Sequence, residues 1–283
     1  VQEKRDTQLN QTLLDLLAEA EMALTEGESA EAENFCRDIL VASPNQPQAL
    51  FLLAEALRLQ GQYPEAEMQY KRCVISAPNH PHAWAALSSI FFEELRWDEA
   101  RRAANRALRE DLWNAEAAFV RGALRERRDD YAGAYRDFAR AWRSDPRSWP
   151  IPTHLPDEEL KAIVESAIHL LHPSIQDYMA HVAIILEDLP TEKVLRAYEP
   201  PASPTALLGY FTGYAQLEAR GESPWSNLPS AVVIYRRNIE RLSVDRDTLI
   251  DHIRVTFFHE IGHLLGLDGG DFELDPPDKP TDA

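Results

Sequence analysis

At 283 residues, 45% of them hydrophobic, the chain has room for about two globular domains. Its formal net charge of −18 repels phosphate backbones and works against a nucleic-acid partner. No apolar run reaches the roughly 18 residues of a membrane span, so no membrane partner is expected. The polar start, Val1 to Asp6, has no apolar signal-peptide core. The two cysteines, Cys36 and Cys73, form no C-x-x-C and read as buried free thiols, which fits a cytoplasmic protein.

From about Leu13 to Pro146 the sequence repeats every 34 residues. Ala32, Ala66, Ala100 and Ala134 stand in register, with Cys36, Tyr70, Ala104 and Phe138 four positions on. Pro44, Pro78 and Pro146 close three units, and Leu112 holds that place in the third. Tyr63, Trp97 and Tyr131 precede the alanines, and Gly27 and Gly61 mark the turn inside the first two units. A small alanine lets two antiparallel helices approach closely, and a proline stops the second helix. The aromatics are expected in the core. The pattern resembles the tetratricopeptide repeat, whose period is the same. That resemblance implies an all-α solenoid with a groove for a protein or peptide partner. Arginines 101, 102, 106, 109, 121, 125, 127 and 128 stand out in an acidic chain. They read first as a solvated face neutralised by neighbouring acids, and second as a seat for an acidic tail.

Residues 147–156 carry three prolines and form a joint between residues 1–146 and a second domain at 157–274. Asp157-Glu158-Glu159 opens a helix running through Leu160, Ile163, Ala167 and Leu170. A short helix is expected over 175–180 and a buried strand over 182–186. Further strands are expected at 207–214 and 231–236, with a loop at 222–229 between them. Asp245 or Asp247 caps the last helix. The tail, 275–283, is expected to be disordered.

The last helix carries His259-Glu260-Ile261-Gly262-His263, an H-E-x-x-H pattern. Residues four apart share one helical face, so the two imidazoles can grip one ion. Glu260 borders that ion and can take a proton from water held there, which is the zinc-peptidase reading of the pattern. Ile250, Ile253, Phe257, Ile261 and Leu264 form an apolar stripe opposite the histidines, and Phe258 and Leu265 fill the flanks. The end of the helix is therefore expected to be buried nearly all round. Gly266 ends the helix and lets a third ligand approach. Asp268 is favoured for its nearness to the turn, with Asp271 and Glu273 as rivals.

From about Glu158 to Leu274 the sequence resembles the minimal zincins, a bacterial group of zinc metallopeptidases. The landmarks are His181 to Pro190, Leu208 to Gly213, Ala231 to Ile239, and His259 to Gly266. The resemblance implies a small α+β domain with His259 and His263 as zinc ligands and Glu260 as base. It also implies an extended peptide substrate paired along residues 208–214 or 231–236. Three positions beyond Gly266, where the family commonly has an acidic residue, this chain has Gly269, so the acid is displaced to Asp268 or Asp271. The functional expectation is a zinc metallopeptidase whose repeats recruit a protein substrate or regulator. The alternative is a repeat scaffold with a catalytically weak or structural metal domain.

Overall fold

A computed structural model of the protein describes residues 2–212 and 231–265, with the side chains of 11–212 and 231–263. The chain forms two compact units, residues 1–149 and 150–283.

The first unit is an all-α solenoid of helical pairs. These are α1 (Gln2–Glu26) with α2 (Ser29–Ala42), α3 (Pro47–Leu59) with α4 (Tyr63–Ser76), α5 (Pro81–Glu93) with α6 (Trp97–Glu110), and α7 (Ala115–Glu126) with α8 (Tyr131–Ser144). The four register alanines are wholly or almost wholly buried, as close helix approach requires. The capping position repeats too. Gln46, His80 and Asn114 each accept the backbone N–H three residues on with a side-chain atom, starting α3, α5 and α7. Gly27 and Gly61 turn the chain with φ of 83° and 76°. In the next two units the same place is held by Leu95 and Asp129, both at φ 60°, a conformation that L-residues with a Cβ disfavour. Trp149 closes the unit against Phe119, ring centroids 4.6 Å apart.

The expectation of an aromatic core needs correction. Tyr70 and Phe138 are buried, but Tyr63 and Tyr131 are exposed. Those two tyrosines are the first residues of α4 and α8, while Trp97, at the same position of α6, packs on Phe92 with ring centroids 5.2 Å apart. The arginine-rich face also differs from a simple solvated surface. Arg121 and Arg125 both pair with Asp137, whose side chain is 1% exposed.

The second unit is α+β. Its elements are α9 (Asp157–His169), α10 (Pro173–Met179), β1 (Ala183–Glu187), α11 (Glu192–Leu195), β2 (Gly209–Thr212), β3 (Ala231–Tyr235), α12 (Arg236–Leu242) and α13 (Arg246–Leu265). Among the described residues the sheet order is β1-β3-β2, with β1 parallel and β2 antiparallel to β3. The central strand β3 is buried along its whole length. Its Val232 and Ile234 meet Leu160, Ile163 and Val164 of α9 and Leu249, Ile253, Phe257 and Ile261 of α13 in one core. The strand expected at 182–186 is present as β1, but it is not buried. Among the described strands it lies at the sheet edge, and Ile185 is exposed. The chain turns at Arg236 into a short helix, α12, where strand was expected to continue. Asp245 caps α13 by accepting the Thr248 N–H. No helix among the described residues is long and apolar enough to cross a membrane.

Candidate metal centre

The α13 helix sets the site. Its apolar residues Ile253, Phe257 and Ile261 are fully buried. The opposite face carries His259 and His263, and both are exposed. This corrects the expectation that the helix end is buried all round, because the histidine face opens outward. The two Nε2 atoms lie 3.0 Å apart, with the rings at 85° to each other. A tetrahedral zinc bound at about 2.0–2.1 Å separates two ligand nitrogens by about 3.3 Å. The rings need to spread by only a few tenths of an ångström to hold such an ion, so the pair fits a divalent metal.

Glu260 lies on the flank between the two faces and is 8% exposed. Burial disfavours its charged form and pushes its pKa up to about 7, against a smaller opposing pull from a hydrogen bond with the Phe211 backbone. That bond follows from strand geometry. Tyr235 donates its N–H to the Leu208 carbonyl at 2.7 Å. In an antiparallel ladder alternate residues face the partner strand, so 208, 210 and 212 face β3 while 209 and 211 turn to the other edge. Phe211 therefore presents its N–H toward α13. The close approach of strand and helix depends on Gly209. A Cβ there would stand 2.7 Å from the Val233 carbonyl oxygen and 3.3 Å from Glu260 Cγ and Thr256 Cγ2.

Tyr198, in the segment between α11 and β2, lies near enough to Glu260 and Tyr210 to interact electrostatically, and burial first and then these neighbours raise its pKa. Tyr210 stacks on Tyr235 at 5.9 Å, which makes these two a packed pair across the sheet. Sequence reasoning missed Tyr198 and the Phe211 amide. A main-chain donor has no side-chain signature, and nothing local to Tyr198 marks it. Gly209 did carry a signal, since a glycine inside a strand often marks a close approach.

Of the sequence-predicted site residues, His259, His263 and Glu260 come together on α13. Asp268, Asp271 and Glu273 lie outside the described residues, as do Gly266, the 222–229 loop and the 275–283 tail. Among the described residues no group of three His, Cys, Asp or Glu converges on a point. Of the two strands considered for substrate pairing, 231–236 is ruled out. β3 is hydrogen-bonded on both sides by β1 and β2, while β2 has a second edge that no described strand occupies.

Comparison with known proteins divides the chain in the same way. Residues 23–90 match the tetratricopeptide repeat family, and residues 179–275 match the Zincin-like metallopeptidase family. No curated protein matches the chain. Among solved structures it is similar to MamA, at 17% identity over 57% of this chain and 88% of that one, with a TM-score of 0.39. It is also similar to pilF of Pseudomonas aeruginosa, at 16% identity over 49% of this chain and 63% of that one, with a TM-score of 0.44. A third likeness is to a thermophilic TPR protein of Thermus thermophilus, at 18% identity over 47% and 75%, with a TM-score of 0.42. The chain spans a little under two thirds of the length of pilF. The chain thus carries tetratricopeptide repeats, matched over residues 23–90, and a zincin-like metallopeptidase domain, matched over residues 179–275.

Proposed function

We propose that the second unit is a zinc-dependent peptidase and that the repeats recruit its protein substrate or a regulator. The observation that carries this is the pair of imidazole nitrogens 3.0 Å apart beside a buried carboxyl group held by an edge strand. His259 and His263 would hold the ion, with Asp268 as third ligand ahead of Asp271 and Glu273. When bound, zinc supplies a Lewis acid for the scissile carbonyl and makes water acidic near neutrality. Glu260 takes a proton from the attacking water on its carboxylate and returns it to the leaving amine. The Phe211 N–H fixes which way the carboxylate faces. The outer edge of β2, apart from the Phe211 N–H that Glu260 takes, pairs with an extended substrate main chain, and alternate substrate side chains point away from it. Cys36 and Cys73 are both buried free thiols, which fits a reducing, cytoplasmic setting.

The test is cleavage of a peptide library by zinc-loaded full chain, read by mass spectrometry, beside Glu260→Gln loaded to the same zinc content. Cleavage by the parent and none by the variant supports the reading. Equal cleavage by both removes Glu260 as base. Absence of cleavage in both, with a protein partner still captured by the repeats, favours the scaffold alternative.

A further inference from the structure

An open cavity of about 340 Å³ lies between α6, α7 and the turn into α8, lined by Arg101, Asn105, Arg121, Arg125, Arg128 and Asp130. The repeat supplies its own control, because the same place one unit earlier is 34 residues back. There the positions of Arg101, Arg121, Arg125 and Arg128 are held by Glu67, Leu87, Phe91 and Glu94. The position of Asp130 is held by Arg96.

In the earlier unit the long Arg96 side chain fills the place. Its guanidinium lies 4.2 Å above the Phe91 ring and pairs with Glu67 at 2.9 Å, Glu94 at 2.6 Å and Glu99 at 2.8 Å. One unit on, the charges of Glu67, Glu94 and Arg96 are inverted, but the central counter-ion is shortened from arginine to aspartate. Asp130 caps α8 through the Gly133 N–H at 2.9 Å and reaches Arg125 only at 3.6 Å. Glu99 is replaced by Gly133. The ring of arginines therefore lacks the centre that Arg96 gives to the ring of acids.

The arginines are held in place from below. Asp137, 1% exposed, takes two hydrogen bonds from Arg121 at 2.8 and 2.6 Å and pairs with Arg125 at 2.9 Å and Arg140 at 3.0 Å. Arg101 pairs outward with the exposed Asp98 at 2.9 Å. Arg128 also lies near enough to Asp98 to help lower its pKa, behind Arg101 and Arg102. Four arginines, Arg101, Arg121, Arg125 and Arg128, thus line the pocket with Asp130 as the acid among its lining residues, in a chain whose net charge is −18.

We propose that this pocket binds the side-chain carboxylates of a short acidic segment on a partner protein, which supply the centre that Asp130 is too short to provide. Guanidinium groups pair with carboxylates through two parallel hydrogen bonds, so pre-positioned arginines suit such a ligand. A short acidic run carries its charge only where the pocket is. A nucleic-acid strand carries charge well beyond it and meets the acidic remainder of the chain. Binding here is independent of the histidine helix.

The test uses the full chain and a fluorescein-labelled peptide with an Asp-Glu-Asp-Glu run in glycine-serine flanks, read by anisotropy at low salt. The variant is Arg101→Glu with Arg128→Glu, because neither residue touches Asp137. The expected result is binding by the parent that weakens as salt rises, and a loss of about tenfold or more in the variant with helix content and unfolding midpoint unchanged. Lysine at both positions should restore most of the affinity. No binding by the parent, equal binding of the parent to an Asn-Gln-Asn-Gln peptide, or unchanged affinity in the double variant overturns the proposal. Tighter binding of oligouridine or inorganic phosphate than of the peptide overturns the choice of a protein partner.

Discussion

Phe211, on the outer edge of β2, donates its backbone N–H to the carboxylate of Glu260 on α13. The bond ties the proposed catalytic carboxyl group to the strand proposed to hold the substrate. A shift of either element therefore moves both parts of the site.

Glu260 is held at a cost to stability. Its pKa rises from an ordinary 4.5 to about 7 because burial penalises the anion. The folded state thus holds its proton more tightly than the unfolded state does. Stability from this group is fully present below pH 4.5 and is lost as pH rises through about 7. At pH 8 the zinc-free protein bears a penalty of about 3 kcal/mol. Glu260→Gln keeps an acceptor for Phe211 and removes the charge. Denaturant unfolding of zinc-free protein should show the variant more stable than the parent at pH 8, with the gap closing by pH 5. The same substitution should abolish cleavage by zinc-loaded protein.

Gly209→Ala should damage the site without touching a proposed ligand. The new methyl would sit 2.7 Å from the Val233 carbonyl, a backbone atom that cannot step aside. Strand β2 must then shift away from β3 at that point and carry the Phe211 N–H out of line with Glu260. The expected result is a loss of about 1–3 kcal/mol in stability and a large fall in cleavage rate, with zinc still bound. Calorimetry and zinc stoichiometry on the same preparation separate these effects.

The parts of the site that could be read from the sequence are those one helix determines. His259, Glu260 and His263 are placed by the 3.6-residue turn alone, so their spacing told their relative position before any tertiary structure was known. The repeat was equally open, since Ala66 and Ala100 answer the same packing need at the same interval. What could not be read depended on which segments meet. Val182 to Leu186 has the β-branched, apolar character of a buried strand, yet β1 lies at a sheet edge, because burial is decided by neighbours far along the chain. Tyr63 and Tyr131 sit in register with Trp97 at the first position of their helices, yet Trp97 packs on Phe92 while the two tyrosines stay in solvent. Arg236 opens α12 directly after β3, and its paired charges come from far along the chain, Asp157 at the start of α9 and Asp188 just after β1.

Asp137→Ala should destabilise the repeat unit more than loss of any one arginine around it. Arg121, Arg125 and Arg140 all point at this buried carboxylate, and its removal leaves their charges facing one another. Breaking a buried pair from one side costs about 3 kcal/mol, and the partial exposure of the arginines keeps the figure near that end. Arg140→Ala should cost clearly less. Thermal unfolding of both variants, followed by helix signal, checks the order.

Asp129→Gly should stabilise the same unit. Asp129 holds the left-handed turn that Gly27 and Gly61 hold in earlier units, and it does so with a Cβ. Relief of that conformation is worth about 1 kcal/mol, offset in part by the greater freedom of glycine in the unfolded chain. Leu95→Gly should go the other way despite the same φ, because Leu95 is 3% exposed and its burial is lost. Unfolding midpoints of opposite sign for these two substitutions would separate backbone strain from packing.

The most direct measurement is zinc titration of metal-stripped full chain by calorimetry, run in parallel on His259→Ala and His263→Ala. One zinc ion per chain in the parent, with binding lost or weakened by at least about tenfold in each variant, is the predicted result. No uptake by the parent, or uptake unchanged when either imidazole is removed, would contradict it.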